Sequence, residues 1–192
     1  MDDREKGERR MGKEALVRRA QNGEKDAFIR LMREHELVMY RTAKAVLKTE
    51  ADVEDAVQET ICKAFSRLAD LRQPRYFKTW LTRILLNCCY DLLRQKKGEV
   101  PLELLPEAFP AGGWSGGESD RALDVQAALD AMDPEDRLLL TLYYLNDLPI
   151  REISHILSLN ENIIKKRLAR GRKRFQAVYR ENEAEEEAVY EN

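Results

Sequence analysis

A chain of 192 residues, 43% hydrophobic and 35% charged, suffices for one ordinary domain or two small ones and is too apolar to stay unfolded throughout. No run approaches the roughly 18 consecutive apolar residues that a membrane helix needs, and the opening MDDREKGERRMGKE lacks a signal-peptide core, so the expected compartment is cytoplasmic without membrane insertion. The net charge of -2 says little, because Arg151, Lys165, Lys166, Arg167, Arg170, Arg172, Lys173, Arg174 and Arg180 against Glu152 and Glu161 give about +7, followed at once by the Glu-rich ENEAEEEAVYEN.

Residues 1–12 are expected as a flexible N-terminus. The first strongly patterned segment is ADVEDAVQETICKAFSRL. Its Val53, Ala56, Val57, Thr60, Ile61, Ala64, Phe65 and Leu68 follow helical spacing and, at about 100° per residue, form one buried stripe. Asp55, Gln58, Glu59, Cys62 and Ser66 fall opposite. A solvated face is the ordinary reading of those polar residues, and pattern alone does not overturn it. The cysteines Cys62, Cys88 and Cys89 have no CxxC spacing, and adjacent Cys88 and Cys89 pair only with strain. They read as thiols of a reducing compartment.

The turn ADLRQPRY supplies Arg72 and Arg75 around Pro74. In the helix expected from about Phe77 to Lys96, Leu81, Ile84, Leu85, Cys88 and Leu92 form the core stripe. Trp80, Arg83, Asn87, Tyr90 and Arg94 then face away from it. Two readings of that face stand. Arginines neutralise phosphates while Trp and Tyr stack unpaired bases at about 1 to 3 kcal/mol each, or Trp80 packs against a neighbouring helix.

Pro101, Pro106 and Pro110 with Gly112, Gly113, Gly116 and Gly117 make residues 98–119 a flexible Pro/Gly-rich linker. It separates a module over 13–97 from one over 120–180. In the second, Val125, Ala128, Leu129 and Met132 share a stripe, Asp133 and Pro134 start the next helix, and RLLLTLYYL is apolar nearly all round. Pro149 opens a short helix with Ile150, Ile153, Ile156 and Leu157 inward, SLN makes a tight turn, and Asn160 caps the last helix. Helix, turn and longer helix form a helix-turn-helix.

On the last helix Ile164, Leu168, Gly171, Phe175 and Val178 share one arc, with Lys166, Arg170, Lys173 and Arg174 opposite. A solvated face interleaves both signs, whereas Glu161 is the only acid between Asn160 and Arg180, which favours DNA. Asn162, Ile163, Lys165 and Lys166 come early enough to reach base edges, and Arg167, Arg170, Lys173 and Arg174 are placed to hold phosphates. An apolar Ile163 in a cationic arc suits a thymine methyl. The acidic tail, 181–192, reads either as a solubilising end or as a screen that folds back on the cationic helix.

Together these segments resemble the small, two-domain extracytoplasmic-function group of bacterial RNA polymerase sigma factors, in the sigma-70 family, over about residues 14–178. DVEDAVQETICKAF resembles the core-binding helix, FKTWLTRILLNCCYDLLRQKK the promoter-melting and minus 10 helix, and LPIREISHILSLNENIIKKRLARGRKRF the minus 35 helix-turn-helix. The resemblance implies an all-α chain with a region 2-like domain and a region 4-like domain. Such a chain directs core polymerase to promoters by minus 35 and minus 10 recognition and strand opening, in a stress or envelope response.

The same resemblance implies that Asp55, Gln58 and Glu59 dock on the polymerase clamp helices, with the flap of core polymerase as a further contact. Arg72, Arg75, Tyr76, Trp80, Arg83, Asn87, Tyr90 and Arg94 would hold the opened minus 10 strand. An anti-sigma factor is implied as a further partner; cofactor, metal and catalytic residues are not. The sequence departs from the family pattern at Ser158, where Gly is common, at Asn162 and Ile163, where Gly-Thr is frequent, and at Cys62, where an apolar residue is typical. The alternative is a helix-turn-helix regulator that never joins polymerase, which leaves the Asp55 face and the Trp80 face without work. His35 and His155 are the only histidines and have no partner at metal or triad spacing, so an enzyme is not expected.

Overall fold

The structure, a computed structural model, describes residues 3–97, 125 and 128–190, with side chains for 12–96, 125, 128–177 and 179. The expected linker and the side chain of Val178 lie outside the described residues. The first module comprises α1 (Asp3–Gln21), α2 (Lys25–Val46), α3 (Glu50–Arg67), two short 3-10 turns (Leu68–Asp70 and Pro74–Tyr76) and α4 (Phe77–Lys97). The second comprises α5 (Pro134–Leu140), a π turn (Thr141–Leu145) that continues it, α6 (Ile150–Leu157) and α7 (Glu161–Tyr190). The described chain is all-α, as expected.

Local chemistry sets these boundaries. Gly23, at φ 92°, takes the left-handed turn between α1 and α2 that a side chain would disfavour. The Thr49 hydroxyl accepts from the Asp52 amide at 3.2 Å and caps α3. Asp52 in turn receives Lys96 Nζ at 2.6 and 2.7 Å, tying the start of α3 to the end of α4. Burial acts to raise the Asp52 carboxyl, but its bonds with Lys96 and Thr49 outweigh that and hold it below the usual carboxylate range. Pro134 stands at the first turn of α5, where its missing N–H costs nothing. Helix α1 begins at Asp3, so the stretch expected as a flexible N-terminus is helical from there.

The expected stripes fill the core with one exception. Val53, Ala56, Thr60, Ala64 and Leu68 are buried, as are Leu81, Ile84, Leu85 and Cys88. Phe65 is instead 61% exposed, with only its edge against Phe28, ring centroids 5.1 Å apart. At about 100° per residue Phe65 falls at the outer edge of the stripe, beyond half-buried Ile61.

The modules dock through α4 against α6 and α2 against α5 and the π turn. Asn146, just after the π turn, donates from Nδ2 to the Thr42 hydroxyl at 2.7 Å, with both residues buried (1% and 0% exposed). Lys78 donates to the Asn146 carbonyl, and the Thr79 hydroxyl to Glu152. The resulting hydrophobic core runs without interruption through both modules. At its far end α7 stays helical through residues 181–190, so at about 1.5 Å per residue it spans about 45 Å. The acidic residues therefore extend along the helix axis. They do not fold back on the cationic turns, because Glu and Ala propagate a helix already begun.

Candidate nucleic-acid interface

On α3, Asp55, Gln58, Glu59 and Cys62 are all exposed along one side of the helix. Glu59 pairs with Lys63 at 3.3 Å, which leaves the acidic edge near Asp55 uncovered by any described helix. Phe65 lies one turn beyond Cys62 on that same side, so an apolar ring ends a polar strip. The sequence stripe counted it as buried; the available signal was its place at the outer edge of that arc, about 120° from Val53 at 100° per residue. Cys62 is exposed, whereas Cys88 and Cys89 are buried.

The face expected on α4 is divided. Arg72, Arg75 and Tyr76 are exposed on the loop before it, with Arg75 hydrogen-bonded to Gln73 at 3.0 Å and its guanidinium 4.6 Å from the Tyr76 ring centroid. Arg83 and Asn87 are exposed one helical turn apart. Trp80 is half-buried against the core, its ring centroid 5.8 Å from that of Phe77 one turn earlier on the same helix, and the residue remains partly open. Arg94 is half-buried and pairs with Asp91.

Tyr90 departs from the expectation. Its ring turns into the second module among Leu138, Leu139, Leu157 and Leu159, and its hydroxyl is buried without a hydrogen-bond partner among the described residues. Burial, with Cys89 and Glu135 adding to it, pushes the phenol well above its ordinary range. In this packing it does not share an open face with Arg83 and Asn87, because α5 and the turn between α6 and α7 cover it.

In the second module Ser158 adopts φ +55°, the left-handed cap of α6, a conformation that favours glycine. The Asn160 side chain accepts from the Asn162 amide at 2.8 Å and starts α7, as the sequence indicates. Ile164 and Leu168 are buried, anchoring the helix. Asn162, Ile163 (44% exposed), Lys165, Lys166 and Lys173 face solvent, and so does Arg172, which was not among the expected contacts.

Three expected contacts carry acidic partners, Arg167 being half-buried and Arg170 and Arg174 still exposed. Arg167 pairs with Glu135, Arg170 Nη2 reaches Asp136 Oδ1 at 2.9 Å, and Arg174 pairs with Asp133 and with Asp136 Oδ2 at 3.1 Å. At about 100° per residue they occupy the flank of α7 between the buried arc and its far side. The first turn of α5 lies there. Their partners stand more than thirty residues away in sequence, which is why the run from Asn160 to Arg180 looked nearly free of acid.

Residues 31–99 match the family model described as Sigma-70 region 2, and residues 122–175 that described as Sigma-70, region 4. The ECF RNA polymerase sigma factor SigM of Bacillus subtilis is 30% identical over 144 residues, covering 73% of this chain and 88% of SigM. The chain belongs to the ECF sigma factors of the sigma-70 family. The RNA polymerase sigma factor SigV of the same organism is also 30% identical, over 78% of this chain and 89% of SigV. Among solved structures, CnrH in complex with the cytosolic domain of CnrY has the same fold, with a TM-score of 0.62 at 23% identity over 86% of this chain and 96% of that one. The sigma factor RpoE in complex with the anti-sigma factor NepR from Bartonella quintana gives 0.58 at 22% identity, over 77% and 95%. As an ECF sigma factor, the protein directs core RNA polymerase to promoters, and α6, the turn and the first half of α7 lie within its region 4 match.

Proposed function

We propose that this sigma factor acts in the cytoplasm through a core-binding and minus 10 domain over 13–97 and a minus 35 domain over 120–180, leaving nucleotide chemistry to the polymerase. Asp55, Gln58 and Glu59 dock on the clamp helices, and Phe65 extends that contact. The observation that carries this docking is a polar strip ending in a 61% exposed aromatic ring, on a helix whose other side packs into the core. An exposed ring beside charged residues is the composition of an interface core and rim.

The opened minus 10 strand runs over Arg72, Arg75, Tyr76, Trp80, Arg83, Asn87 and Arg94. Tyr90 joins them only once the two modules part. Asn162, Ile163, Lys165 and Lys166 read the minus 35 element, with Lys173 and Arg172 on phosphates. The solved relatives CnrH, in complex with the cytosolic domain of CnrY, and RpoE, in complex with the anti-sigma factor NepR, support an anti-sigma partner for this chain too.

The test is binding to core polymerase by fluorescence anisotropy. Asp55→Arg with Glu59→Arg should abolish binding, and Phe65→Ala should weaken it by about 2 kcal/mol or more, the loss expected of a buried aromatic anchor. Unchanged affinity in the charge-reversed protein would remove α3 from the docking surface.

A further inference from the structure

Seven cations stand between Lys165 and Arg174. Three of them, Arg167, Arg170 and Arg174, are engaged by Glu135, Asp136 and Asp133. The Asp136 side chain is fully buried (0% exposed) and takes one arginine on each oxygen, so withdrawing both would strand a carboxylate inside the protein. Glu135 and Asp136 lie in the first turn of α5 and Asp133 just before it, where the positive end of the helix stabilises them. The two helices approach closely at Gly171, where a Cβ would stand 3.6 Å from Leu140 and 3.7 Å from Asp136. Lys165, Lys166, Arg172 and Lys173 are exposed and make no ion pair among the described residues.

We infer that Asp133, Glu135 and Asp136 are specificity determinants of promoter recognition: they are built-in counter-ions that keep three recognition-helix arginines off DNA phosphates. The inference rests on the reading of α7 as the DNA-contacting helix. Sequence-independent affinity depends on the number of phosphates neutralised, whereas base readout depends on how the helix is presented. The three pairs act on both. They fix the rotation of α7 against α5, so that Asn162, Ile163 and Lys166 form the leading edge, and they reserve attraction to any DNA for the remaining cations. A carboxylate here occupies the place a phosphate would otherwise take, and binding at random sites is held down.

The experiment measures binding of the full chain to a short random-sequence duplex as a function of salt, for the wild type, Glu135→Gln, the triple variant Asp133→Asn/Glu135→Gln/Asp136→Asn, and Lys173→Gln. Each arginine freed should steepen the slope of log affinity against log salt by about 0.9, and affinity at low salt should rise several-fold. Lys173→Gln should make the slope shallower by the same amount. Glu135→Gln alters only a partly exposed pair, so it carries the test even if the triple variant unfolds. Wild-type binding with an unchanged slope in Glu135→Gln and a reduced one in Lys173→Gln would overturn the counter-ion role alone. Folded proteins that bind no DNA in any form would overturn the reading of α7, and this inference with it.

Discussion

Replacing Tyr90 with Phe should strengthen the docking of the two modules. The substitution removes a hydroxyl that is buried with no hydrogen-bond partner among the described residues and leaves the ring among Leu138, Leu139, Leu157 and Leu159. The cavity beside it holds about 10 Å³, the lower limit for a single water, so solvent offers the hydroxyl little compensation. An unsatisfied buried polar group costs about 1 to 3 kcal/mol, which converts to a rise of roughly 5- to 150-fold in the ratio of docked to parted chains. The exposed Cys62 takes one fluorophore, and a cysteine introduced at exposed Gln176 takes the other, while Cys88 and Cys89 are buried. Energy transfer across a urea series then reads the docked fraction. Tyr90→Phe should shift parting to higher urea. Asn146→Ala, which deprives Thr42 of its 2.7 Å partner across the seam, should shift it lower. An unchanged or lowered midpoint in Tyr90→Phe would refute the reasoning, since the hydroxyl would then have a partner that the packing does not supply.

Two further outcomes concern stability. Ser158 holds φ +55°, a conformation that costs a non-glycine residue about 1 to 2 kcal/mol, so Ser158→Gly should stabilise the chain by about 0.5 to 1 kcal/mol after glycine's extra unfolded-state entropy, raising the midpoint in calorimetry. A lowered midpoint there would mean that contacts of the Ser158 side chain outweigh the backbone strain. His35 is buried, with Nδ1 donating to the Leu31 carbonyl at 2.8 Å. Burial pushes the imidazole below its ordinary value of 6.5; the Leu31 bond opposes this, and Lys13 and Lys78 reinforce it. The unfolded chain therefore binds the proton first. The stability from neutral His35 is complete above 6.5 and is lost as pH falls from there toward the folded value, by up to about 1.4 kcal/mol per pH unit. Urea titrations across that window should show this component in the wild type and not in His35→Leu; an equal slope in both would exclude His35 as its source.

Much of this protein is written in short-range pattern. Apolar spacing in ADVEDAVQETICKAF and in FKTWLTRILL, the Asn160 cap and the Pro149 start each follow from steric and hydrogen-bonding preferences that act within a few residues, so helices, helix-turn-helix and family resemblance are legible without coordinates. The same pattern says which residues share a face but not what lies against it. Phe65 fits the stripe of α3 by spacing, yet it is exposed, at the outer edge of that stripe beyond half-buried Ile61. Tyr90 fits the outward face of α4, yet the second module covers it. Arg167, Arg170 and Arg174 look as free as Lys165 and Lys166, and only the crossing of α5 over α7 brings Glu135, Asp136 and Asp133 to them. The sequence by itself determined the helices and the surfaces they could offer. Tertiary structure alone decided which of those surfaces are open and which charges are already paired, because burial and ion pairing depend on neighbours distant in the chain.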